Sequence, residues 1–121
     1  MEKKFNDFRD MSVWQQSFSL LVEVYQLIKK FPVDERYALT DQLKRAANSV
    51  VHNLAEGYGR FEPKDKTRFY KISRGSAFES MSQILVAENQ RYLSPETSES
   101  LIFRYKKLIE EINALIHYLE K

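Results

Sequence analysis

Arg45 and His52 have the residue types and the spacing for chemistry on a phosphodiester. Seven positions apart, they stand two turns apart on one face of a helix, where a His can act as acid or base and an Arg can hold phosphate. They lie in the stretch Leu39 to Arg60, LTDQLKRAANSVVHNLAEGYGR, which breaks the pattern of the rest of the chain. Small residues (Ala46, Ala47, Ser49, Ala55, Gly57) and polar ones (Arg45, Asn48, Asn53, Glu56) sit where a plain amphipathic helix carries Leu or Ile. The same residues also have a structural reading. Arg45, Ser49, Asn53 and Glu56, facing Ser76 and Glu79 of a neighbouring helix, would form a polar network that fixes helix register.

Between Arg60 and Arg74 the chain carries six basic residues (Arg60, Lys64, Lys66, Arg68, Lys71, Arg74) against Glu62 and Asp65, a local net of +4 with Phe61, Phe69 and Tyr70 interleaved. Such a patch at a loop and helix start can grip phosphates of RNA or DNA. No metal or cofactor site is expected. Helical di-iron bundles use Glu-x-x-His pairs, yet Ser49 and Ala114 stand three residues before His52 and His117. The chain has no cysteine, no Gly-rich phosphate loop and no spacing that argues for a Ser-His-Asp set.

The elements that must position these residues follow from composition and punctuation. A chain of 121 residues suits one domain, residues 1–121, and its three glycines and three prolines favour helices over strands and turns. Nineteen basic and 17 acidic residues give a net charge of +2, so total charge does not announce a nucleic-acid binder. The N-terminal MEKKFNDFRD has no apolar signal region and no apolar run is long enough to span a membrane, so a cytoplasmic protein with no membrane partner is expected. Pro32, Pro63 and Pro95 each fall where an apolar periodicity stops. They divide the chain into an all-α, antiparallel up-down-up-down four-helix bundle with helices near 11–31, 40–58, 63–89 and 95–120.

The apolar rows then assign faces. The first helix has one seam of Met11, Trp14, Phe18, Leu21, Tyr25 and Ile28 and a second of Val13, Leu20, Val24, Leu27 and Phe31. Together they exceed what a bundle interior needs, which leaves a surplus for Phe5 and Phe8, the Phe31 to Leu39 connection, or another subunit to cover. Ser12 or Asp10 is expected to cap this helix and Thr40 the second, with Gly57 and Gly59 supplying a left-handed stop. In the third helix, Phe69, Ile72, Ser76, Glu79, Gln83 and Val86 are expected to face the core beside a row of Phe78, Met81 and Leu85, and Gly75 to permit a close helix approach. The last helix keeps a heptad of Leu101, Tyr105, Leu108, Ile112, Leu115 and Leu119.

Two resemblances attach to these motifs. Arg45 and His52 resemble the R-x4-6-H motif of HEPN nucleases, also helical bundles, which implies a ribonuclease using those two residues. The string from Phe31 to Arg60, with FP, E-R-Y-x-L-T-D-Q-L-x-R-A-A-x-S-V and N-L-A-E-G, resembles a bacterial family known as four-helix bundle proteins, often encoded within intervening sequences of the large-subunit ribosomal RNA gene. Gly75, Ser76 and Glu79 in G-S-x-x-E, and Val13-Trp14-Gln15, are similar to it as well. That likeness implies a homo-oligomeric ring of five subunits. It also implies kinship with the accessory protein of diversity-generating retroelements, a basic pentameric barrel that binds reverse transcriptase and nucleic acid. The leading expectation is therefore a non-enzymatic homo-oligomeric scaffold engaging RNA, DNA or an RNA-handling protein such as a reverse transcriptase. The alternatives are the ribonuclease and an adaptor that binds another protein's helix without nucleic acid.

Overall fold

The computed structural model describes residues 6–121, which form four helices, α1 (Ser12–Ile28), α2 (Leu39–Gly59), α3 (Pro63–Asn89) and α4 (Pro95–Leu119), with 3-10 turns at Phe8–Asp10 and Val33–Glu35. Pro63 and Pro95 occupy the first turns of α3 and α4, where the missing N–H costs nothing. Ser94 caps α4 by accepting the Thr97 N–H at 3.1 Å. The first helix stops at Ile28, short of the expected Phe31, because the residue before Pro32 is disfavoured in helical conformation. Phe31 instead turns inward and packs on Tyr92, ring centroids 5.5 Å apart.

Each helix touches its two neighbours and α1 does not touch α3, so the four form an antiparallel bundle with α1 and α3 on one diagonal. Its packing is uneven, with α2 against α3 the most intimate pair and α1 against α4 the loosest. Small residues explain the intimate pair. Ala46, Ala47 and Gly57 of α2 and Ser73, Ala77, Ser80 and Ala87 of α3 are all buried, which brings the two backbones close.

That close approach corrects the expected core of α3. Thr67, Tyr70, Ser73, Ala77, Ser80, Ile84 and Ala87 face inward, whereas Ile72, Glu79 and Val86 face out. Large side chains have no room against the small residues of α2, and the buried hydroxyls are satisfied by backbone. Ser73 donates to the Val50 carbonyl across the helix pair at 2.7 Å, Ser80 to Ser76 at 2.9 Å and Thr67 to Lys64 at 3.0 Å. In α1 the core takes Val13, Leu20 and Val24 of the second seam with Ser17 beside them, and of the first seam Leu21 is buried while Phe18 and Tyr25 stay exposed. In α4 the buried stripe drifts from the heptad to Ile109 and Ile116, leaving Leu115 and Leu119 half-buried, as a straight helix of 3.6 residues per turn must drift.

Three expected backbone roles also change. Gly57 and Gly59 do not adopt left-handed backbone, and α2 runs through both. The close approach lies at Gly57, where a Cβ would stand 2.5 Å from Tyr70 Cε1, and not at Gly75, which faces open space. Thr40 is inside α2 with its hydroxyl unpartnered among the described residues, and the Leu39 N–H is taken at 3.3 Å by Glu35, whose other oxygen accepts from Tyr92 at 3.0 Å. Neither Ser12 nor Asp10 caps α1, since the Ser12 hydroxyl reaches across to Glu111 on α4. Phe8 does cover part of α1, edge-on to Trp14 at 5.1 Å, and Trp14 stacks on Phe18 at 4.8 Å. Phe5 lies outside the described residues. None of the helices is long and apolar enough to cross a membrane.

Candidate nucleic-acid interface

The tight connection Arg60 to Glu62 turns the chain from α2 into α3 and places the six expected basic residues on one end and flank of the bundle. They are not equivalent there. Lys66 folds back over the end of α2 and donates to the carbonyls of Tyr58 at 2.8 Å and Gly57 at 3.4 Å. It thereby satisfies carbonyls that a helix C-terminus leaves open and offsets the negative end of the helix dipole. Burial lowers its pKa from the ordinary lysine value, the expected direction for an ammonium taken from water. Lys66 thus serves as a cap on the C-terminus of α2.

Lys71 pairs with Glu120, the residue that follows α4, at 2.6 Å and Arg74 donates to Asn113 of α4 at 2.7 Å, so both tie α3 to the last helix. Arg60 and Arg68 converge on one ring, with guanidinium carbons 4.5 and 4.6 Å from the Phe69 centroid. Each is also held by an acid, Arg60 by Glu56 at 3.0 Å and Arg68 by Asp65 at 3.8 Å. The Arg60 Nε is buried and unpartnered among the described residues. Lys64 is exposed. The fold thus adds Glu56, Glu120 and Lys121 to the cluster, and seven cations face four acids for a local net of +3, one less than the linear value. Beside them Phe61 is 90% exposed.

The polar residues of α2 separate into two groups. Ser49 and Ser76 hydroxyls meet at 2.7 Å, and Asn53 donates to the Ser49 hydroxyl at 3.0 Å and to its carbonyl at 2.9 Å, a half-buried lock between α2 and α3. Arg45, Glu56 and Glu79 stay outside that lock and are exposed. Arg45 and His52 share the outward face of α2, as their spacing requires, but His52 makes its hydrogen bond to Asn48 at 3.2 Å. They have no enclosing site, and nothing orients His52 toward Arg45. No group of three or more acidic or histidine residues able to hold a metal occurs among the described residues.

Sequence reasoning missed the acids that dilute the basic run and the outward placement of Ile72, Phe78, Leu85 and Val86. The first are distant in sequence or lie on the preceding helix. The second had a signal, a mid-helix row rich in small residues on the opposite face of α3.

Residues 9–114 match the family model of the 23S rRNA-intervening sequence protein. Among solved structures, the chain is similar to a protein of unknown function of the S23 ribosomal protein family from Bacteroides thetaiotaomicron VPI-5482, with a TM-score of 0.78 at 20% identity over 86% of this chain and 97% of that one. No curated protein matches. The family match spans most of the chain and the likeness in structure carries the same helical fold; the chain belongs to the 23S rRNA-intervening sequence protein family.

Proposed function

We propose that the protein is a non-enzymatic scaffold that assembles from several copies into a ring and engages RNA or DNA through the Arg60 to Arg74 end of each subunit. The carrying observation is a pair of exposed apolar faces on diagonally opposed helices. On α3, Ile72, Phe78, Leu85 and Val86 are 45 to 54% exposed, and on α1, Phe18, Val22 and Tyr25 are 36 to 45% exposed. Large exposed apolar side chains gathered on two helices favour a protein interface. Two different faces on opposite corners favour head-to-tail contacts, which close into rings when the rotation permits. A ring of five is the form that family resemblance supports. The modest charge of each basic end is compatible with this, because copies held in one assembly add their affinities through high effective concentration.

Size-exclusion chromatography with light scattering tests the assembly. Wild type is expected at a multiple of the monomer mass, and a strict monomer at micromolar concentration overturns the proposal. Phe18→Glu with Val22→Glu and, separately, Phe78→Glu with Leu85→Glu are each expected to break the ring. Mixing the two variants restores one contact and gives a dimer, an outcome that a self-complementary interface would not produce. Nucleic-acid engagement is tested by binding at low and high salt, where affinity should fall as ionic strength rises.

A further inference from the structure

We infer that the connection between α2 and α3 is a stacking site for single-stranded nucleic acid, in which a base lies on Phe61 while the adjoining phosphate meets Arg68 and Lys64. The inference rests on the nucleic-acid reading above and specifies the form of strand and the contact.

Phe61 is the residue that a packing account does not need. Its ring is 90% exposed, more than any other large apolar side chain among the described residues. Yet it is not on a slack loop. Arg60 (φ −81°, ψ 153°) and Glu62 (φ −78°, ψ 137°) are extended on either side. The connection is closed by the Arg60 N–H on Gly57 at 3.2 Å and the Lys66 N–H on Glu62 at 3.0 Å. A fixed backbone beneath the ring lowers the ordering cost when a flat partner covers it.

The surroundings of Phe61 suit a nucleotide. Arg60 and Arg68 are already laid against Phe69, so their planar groups are oriented before any ligand arrives. Lys66 offsets the carbonyl end of α2, which would otherwise repel a phosphate. The local net of +3 is modest for a site that lives on phosphates alone, whereas stacking does not depend on charge. A duplex hides its base faces within its own stack and offers Phe61 little to cover, so the geometry selects single strands. Tyr37, 84% exposed at the opposite end of α2, supplies the contrast: Arg36 lies over its ring, but Asp34, Glu35 and Asp41 stand near it in the chain and outnumber that cation.

Fluorescence anisotropy with a labelled oligouridine and an RNA duplex of equal length tests this on the full chain. Oligouridine is expected to bind more tightly than the duplex. Phe61→Leu, which keeps an apolar side chain but removes the aromatic face, should weaken oligouridine binding about tenfold, the scale of a lost base stack. Phe61→Tyr should retain it, Tyr37→Leu should bind as wild type, and duplex binding should not respond to Phe61→Leu. Equal oligouridine binding by Phe61→Leu and wild type overturns the stacking site while leaving the nucleic-acid reading in place. Binding of neither strand form by wild type overturns both.

Discussion

Gly57 and Gly75 are both helical, and a methyl group added to each meets opposite surroundings. At Gly57 the new Cβ would stand 2.5 Å from Tyr70 Cε1, and Tyr70 is only 2% exposed, so the ring has no free space to enter. Gly57→Ala is expected to destabilise by about 1 to 3 kcal/mol, the overpacking cost exceeding the gain in helix propensity. At Gly75 nothing lies within 4 Å, and Gly75→Ala should stabilise the isolated subunit by about 0.5 to 1 kcal/mol. Urea midpoints of the two variants against wild type check both signs. Tyr70 and Tyr105 give a pH signature. Burial pushes both phenols up to about 12, the neighbouring Tyr58 adding to the effect at Tyr70 and a hydrogen bond to Ser80 opposing it at Tyr105. The unfolded chain releases these protons first, so the stability they contribute is fully present below pH 10 and is lost as pH rises from 10 through about 12. Urea midpoints at pH 8 and 11 should fall for wild type, and less for Tyr70→Phe.

Between α2 and α3 the same residues serve packing and register. Small side chains bring the backbones together, and Ser49, Asn53, Ser73 and Ser76 then fix the register with hydrogen bonds across and along the pair. The seam between α1 and α4 is instead held largely at its rim, by Ser12 and Gln16 on Glu111 and by Arg104 on Glu23 and Ser19. At the junction of α2 and α3, Lys66 separates capping from binding. Lys66→Met removes the donor to Tyr58 and Gly57 and should cost about 1 kcal/mol, a fall of about 4 °C or less in Tm for a chain of this size. Calorimetry with a parallel binding titration checks it, since the salt dependence of nucleic-acid affinity should not change. A flattened salt slope would make Lys66 a phosphate contact after all.

At the scale of the molecule, the apolar faces and the basic end belong to one design only if copies assemble. One subunit offers a small patch, and several held in a ring offer a repeated one. The variants aimed at the proposed ring contacts should therefore bind a short oligonucleotide as wild type does but a long single strand about a hundredfold more weakly, because avidity is lost while each site is intact. Titrating strands of both lengths against wild type and the Phe78→Glu, Leu85→Glu variant separates the two effects.

The sequence by itself determined the class of fold and the family, because both rest on local and repeated signals: prolines at helix starts, an N-cap at Ser94, rows of period 3.6, and a long motif around Leu39 to Arg60. It also contained the lock at Ser49, Asn53 and Ser76, since small and polar residues on a helix ask for a close partner. Tertiary structure decided which of two adjacent rows faces the core. Rows on neighbouring stripes of a helix are separated by a fraction of a turn, and the choice depends on what the next helix can accommodate. In α3 the small residues of α2 accepted Ser73, Ala77 and Ser80 and turned Ile72 and Glu79 outward, while Phe78 and Leu85 stayed exposed. It likewise decided the electrostatics of the basic end. Charge counted along the chain includes only neighbours in sequence, whereas Glu56 and Glu120 reach Arg60 and Lys71 through a helix turn and through α4. Of the three aromatics interleaved with the basic run, Phe61 was set apart from Phe69 and Tyr70 only once the helices had been placed, because it alone is left uncovered.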